Sequence, residues 1–294
     1  MTAAYRAGCF GFTYVATLCD RRPVLRTFAI WIAYVALVTL AADVAARYFG
    51  PPSISPHLLH EFIAAIDEAP PLARWDSIWF YGIAQEGYSG SGADSRFTPG
   101  FLPVYPIMMR WMASLFGTDY FTAGLWISRL ALLALLYLLP PAAKDCGMRD
   151  ADPSAAQFAL LAFPTGFILV SVYSEALFTS LALAAFVLAR RERWVCAAAA
   201  AFCAAVTRPQ GVALVPALAA LAWREWRGGK RTASVFAPPL GAATGYAALA
   251  CYFWWNFGDP LRYLTAKREG WGSRLSLPWE TLGNAVTQLQ QAID

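Results

Sequence analysis

Four charged residues stand where an apolar chain has little reason to keep them: Asp76, Glu175, Arg129 and Arg208. Asp76 lies in RWDSIWFYGIAQEGY, a stretch that also holds Arg74, Trp75 and Trp79. Glu175 follows Tyr173 in the short polar break YSE, and Arg208 opens the turn TRPQG. A carboxylate can take a proton from a hydroxyl as a general base. An arginine can hold a phosphate through two parallel hydrogen bonds. Trp75 and Tyr173 offer flat apolar walls. Together these types suit group transfer from a phosphate leaving group to a hydroxyl acceptor.

Each residue also has a structural reading. Asp76 is a preferred N-cap residue for a helix over 77–85. Trp75, Ile78, Trp79 and Ile83 share one helical face, as packing at a membrane interface would require. Glu175 reads equally as a solvated loop residue. Arg208, before Pro209, and Arg129 can each extend a charged head to water from a helix end. His57 and His60 have i, i+3 spacing that a metal could bridge, but no third ligand is evident.

The elements that must position these residues are helices in a bilayer. The 294 residues are 58% hydrophobic and only 14% charged, against about one quarter in ordinary soluble domains. Several apolar runs approach the roughly 20 residues that cross a bilayer. The expected class is therefore a single all-α, multi-pass transmembrane domain over 1–294. The net charge of +4 gives no reason to expect a nucleic-acid partner. The six cysteines are scattered without a C-x-x-C pair, so neither a disulfide framework nor a zinc site is expected.

The first span is expected over 27–46, behind Arg21, Arg22 and Arg26, as a retained span preceded by a cytoplasmic segment 1–26. A long external loop, 47–100, follows; loops of that length are usually functional. Within it, HLLHEFIAAIDEA from His57 has the periodicity of an interfacial helix. Further apolar runs fall at 101–117, 119–141, 154–172, 176–189, 194–206, 211–223 and 233–257. Basic clusters at Arg21/Arg22/Arg26, Lys144/Arg149, Arg190/Arg191/Arg193 and Arg224/Arg227/Lys230/Arg231 should share the cytoplasmic side. They do so only if 101–117 is re-entrant or interfacial and the chain crosses twice between Trp194 and Trp223. Seven spans result. The loop with Asp76, the YSE turn, TRPQG and an external segment from Gly258 onward then meet on the outer face.

Five pieces, in order, carry a resemblance: RWDSIWFYGIAQEGY (74–88), FTPGFLPVYP (97–106), FPTGFILVSVYSEALF (163–178), TRPQG (207–211) and WNFGDPLRY with the following GWG (255–263, 270–272). In these the chain resembles the PIG-V family of mannosyltransferases, within the GT-C superfamily of multi-pass glycosyltransferases that use lipid-phosphate-linked sugars. The resemblance implies a GT-C helical bundle with its active site on the external face of a cell membrane, bacterial by composition. It implies Asp76 of the Trp75–Asp76 pair as catalytic base. The donor would be a polyprenyl- or dolichyl-phosphate sugar, most simply mannose, transferred with inversion to a glycan or glycolipid acceptor. Arg208 would contact the donor phosphate, and Glu175 would stand where related enzymes carry another acid. Arg74, Trp75, Tyr173 and Arg129 complete the expected substrate-binding set, and no cofactor is expected. The family's usual further spans are not matched, so the chain reads as a compact or a truncated member. A transporter or a non-catalytic membrane subunit with a partner is the alternative, though no internal repeat is found.

Overall fold

A computed structural model describes residues 21–49, 69–88, 95–148, 152–230, 232–273 and 276–293. Among these residues the chain is all-α, as expected. The segment from His57, both histidines, Asp94, Arg149 and Arg231 lie outside the described residues.

Helix α1 (Arg21–Phe49) is 29 residues long, about 44 Å at the helical rise. It leans on α4 (Tyr120–Asp145) along a polar seam. Trp31 Nε1 donates to the Arg129 carbonyl at 2.7 Å, and Arg129 Nη2 donates to Thr39 Oγ1 at 3.1 Å. Tyr137 donates to the Val24 carbonyl, so the two helices run antiparallel. Gln157 of α5 (Pro153–Leu161) is buried beside them and donates to Thr27 and to the Leu136 carbonyl. Among the described residues, α1 and α4 are the two helices long and apolar enough to cross a membrane.

Most other expected spans are shorter helices. The run 154–172 is not one helix. It breaks after α5 at Phe163–Pro164, because proline disfavours helical backbone in the residue before it, and it resumes as a 3-10 turn over Gly166–Val170. The run 101–117 holds α3 (Val104–Phe116), 13 residues and about 20 Å long, well short of a hydrocarbon core of about 30 Å. Trp194 to Trp223 is two helices, as parity required: α7 (Trp194–Ala205) and α8 (Leu214–Arg227), joined through Arg208 and a 3-10 turn over Pro209–Ala213.

Helix α6 (Glu175–Arg190) starts beside the start of α4 and runs parallel to it. Helix α7 returns and packs closely on α9 (Ala237–Phe257). A Cβ at Gly241 would clash with the Ala198 carbonyl oxygen, so only glycine lets the two backbones approach so closely. The core holds aromatic and aliphatic side chains of α3, α4 and α9 together with α2 (Ser77–Glu86).

The bundle has two distinct ends. At one, Arg190 pairs with Glu225, and Lys230 joins Glu225 and Glu192 at 2.7 and 2.8 Å. Arg26 pairs with Asp152 beside the end of α4. Helices α4, α6 and α8 finish at this end, so the described members of all four basic clusters gather there. At the opposite end lie Asp76, the start of α6, the TRPQG turn and α10 (Arg262–Trp271).

Candidate functional site

The turn before α2 is built to present Asp76. Ala73 N–H donates to the Pro70 carbonyl, and the Ser77 hydroxyl donates to the Arg74 carbonyl at 2.5 Å. Val172 N–H donates to the Leu72 carbonyl, which ties this turn to the segment before α6. Between these anchors Trp75 has φ 51°, a left-handed backbone that bulky residues rarely adopt. The consequence is that neighbouring side chains face different compartments.

Asp76 occupies the N-cap position, but its backbone is helical and its side chain caps nothing. The capping reading therefore does not explain it. Its amide donates to the Tyr173 hydroxyl at 3.2 Å, and its carboxylate lines a cavity of about 760 Å³. That volume is ample for a sugar-sized ligand. Burial raises the Asp76 pKa, and the nearby Lys267 and Arg208 charges partly offset the rise. Burial also pushes the Tyr173 hydroxyl up to about 12, so it stays neutral at ordinary pH.

Arg208 enters the cavity from the TRPQG turn. Its extended backbone, φ −148° and ψ 147°, suits a residue before proline. Nη1 lies 2.7 Å from Glu175 Oε1 and 3.0 Å from the Ser174 hydroxyl, while Nε reaches Gln210 at 3.2 Å. The Tyr246 hydroxyl donates to the Arg208 and Pro209 carbonyls and holds the turn in place. Glu175 Oε2 is buried without a partner among the described residues.

Lys267 is the cation that sequence reasoning missed. It lies 4.3 Å from the Phe101 ring and 4.1 Å from the Trp271 ring, against the cavity that Asp76 lines. Burial lowers its pKa, and the Asp76 charge opposes that. Helix α10 docks on the 3-10 turn Ser95–Gly100, where a Cβ at Gly100 would meet Trp271 at 3.3 Å and Lys267 at 3.4 Å. Buried Trp79 backs this wall, with its ring 5.5 Å from Trp271 and 5.7 Å from Phe101. The available signal was spacing: Tyr263, Lys267 and Trp271 fall at i, i+4 and i+8 and so share one face of α10.

The expected set divides. Asp76, Tyr173, Glu175 and Arg208 come together. Arg74 and Trp75 face a second, smaller cavity of about 360 Å³ against α1. Arg129 sits in the α1–α4 seam, with Nε buried and without a partner among the described residues. Among the described residues no three His, Cys, Asp or Glu side chains form a metal-binding group.

Comparison with known protein families, curated proteins and solved structures finds no match to this chain. One uncapped carboxylate, three cations (Arg208, Lys267 and Arg268) and an aromatic wall share a cavity at one end of a helical bundle. A carboxylate of raised pKa can accept a proton, and arginine with lysine can neutralise a phosphate.

Proposed function

We propose that this chain is a multi-pass membrane glycosyltransferase of GT-C type. It moves a hexose, most simply mannose, from a polyprenyl- or dolichyl-phosphate donor to a hydroxyl of a lipid-linked or membrane glycan acceptor. Asp76 takes the proton of the acceptor hydroxyl. The acceptor oxygen attacks the anomeric carbon from the face opposite the phosphate. The bond from that carbon to the phosphate oxygen breaks, and the lipid phosphate leaves with the electron pair. The configuration inverts. Arg208 and Lys267 hold the donor phosphate and offset the charge that develops on the leaving oxygen. Glu175 fixes Arg208 in place.

The observation that carries this reading is the pairing of an uncapped Asp76 with Arg208 and Lys267 in one aromatic-walled cavity. Two further facts support it. The cavity stands at the end of the bundle opposite the basic clusters, where an external active site belongs by the positive-inside rule. The pieces that resemble the PIG-V family supply the Asp76, Glu175 and Arg208 positions and the two ends of α10. The active face is external to the cell membrane on this reading.

The test is transfer from a labelled polyprenyl-phosphate mannose in membranes that contain the protein. Label should pass to a lipid or glycan fraction with wild type and not with Asp76→Asn. Equal transfer by the two would end the proposal.

A further inference from the structure

The second cavity has features that the transfer site does not use. One wall is α1 from Val38 to Phe49, and the other is Leu72 with Phe167. That length of helix spans about 16 Å, close to one leaflet of a hydrocarbon core about 30 Å thick. The walls are apolar apart from Ser171 and a single cation, Arg74. Arg74 is half-buried, and its guanidinium has no hydrogen-bond or ion-pair partner among the described residues. Beside it the strained backbone of Trp75 turns a 70% exposed indole onto the same side, 6.4 Å from Phe167. A strained bulky residue is kept where its surroundings use the direction it gives.

An apolar groove one leaflet deep, with an unpaired guanidinium and an exposed tryptophan together, matches one ligand chemistry. The guanidinium fork complements a phosphate, the groove complements a hydrocarbon chain, and tryptophan favours the headgroup level. We propose that this groove is a binding site for an anionic glycerophospholipid of the surrounding bilayer, with one acyl chain between α1 and Phe167 and its phosphate on Arg74. The site is separate from the Asp76 cavity. It rests on the membrane placement proposed above and not on the transfer reaction. Because Arg74 and Trp75 directly precede Asp76, a bound lipid also steadies the turn that presents the carboxylate.

The test is retention of lipid by the purified full chain, measured by native mass spectrometry with phosphatidylglycerol and phosphatidylcholine as probes. Wild type should retain phosphatidylglycerol in preference to phosphatidylcholine. Arg74→Gln should weaken phosphatidylglycerol about tenfold or more, the scale of one charge-assisted hydrogen bond, and abolish the preference. Ala45→Phe, on the exposed face of α1, should block the groove and reduce both lipids. Asp76→Asn should bind like wild type, so a failure of the catalytic reading leaves this result untouched. If wild type shows no preference, the proposal falls. It falls equally if Arg74→Gln and Ala45→Phe both retain lipid like wild type, whether residues 50–68 or a second copy of the chain fills the groove instead.

Discussion

Glu175 Oε1 lies 2.7 Å from Arg208 Nη1, although one residue opens α6 and the other follows α7. The pair fixes where the Arg208 guanidinium points, and with it the donor phosphate. Arg208→Lys keeps the charge and loses the planar fork. The expected outcome is a donor KM raised about tenfold, the scale of one charge-assisted hydrogen bond, with the fold intact by circular dichroism. Glu175→Gln should act in the same direction but less strongly, since the amide oxygen still accepts from Nη1. An unchanged donor KM in Arg208→Ala would remove Arg208 from the site.

The pH dependence of transfer should report Asp76. Its pKa is raised by burial and held back by Lys267 and Arg208. As a base it works only when ionised, so activity falls as pH drops through its raised pKa. Lys267→Met removes one of the opposing charges and should move that acid limb to higher pH. A limb that stays in place would show that Lys267 does not act on Asp76.

The same shift has a sign for stability. The folded pKa lies above the unfolded one, so folding favours the neutral carboxyl. That contribution is present at acid pH and is lost as pH rises through the raised value. At neutral pH, Asp76→Asn should therefore be at least as stable as wild type in thermal unfolding. Because the side chain makes no capping bond, Asp76→Ala should not unfold the protein either. A large loss of stability in Asp76→Ala alone would restore the capping role.

Much of the fold was legible because apolar runs between basic clusters read directly as helices. Parity of those clusters required two helices between Trp194 and Trp223, and the turn at Pro209 provides the break. Parity also brought Glu175 and Arg208 to one end. What sequence could not show is which way a side chain faces within a helix or turn. Arg129 lies within α4 but is turned toward Thr39 of α1. Trp75 is directed away from Asp76 by a positive φ that no residue type announces for tryptophan. Lys267 was hidden because RYLTAKREGW reads as an ordinary polar surface helix until its partners Phe101 and Trp271 are known.

The two ends of the bundle make a prediction about sidedness. In a background with the six native cysteines replaced, Ser273→Cys should be labelled in intact cells by an impermeant thiol reagent. Asp145→Cys and Arg227→Cys should be labelled only after the cells are opened. The reverse pattern would invert the proposed orientation.

The most direct measurement is the rate of sugar transfer by Asp76→Asn in membranes, against wild type at matched expression. Asparagine keeps the shape of the side chain and cannot take a proton. A general base contributes about a hundredfold to ten-thousandfold to rate. The account predicts a loss of at least about a hundredfold, with thermal stability equal to or above wild type. Near-full transfer by Asp76→Asn, with Glu175→Gln inactive, would contradict it and give the base to the other carboxylate.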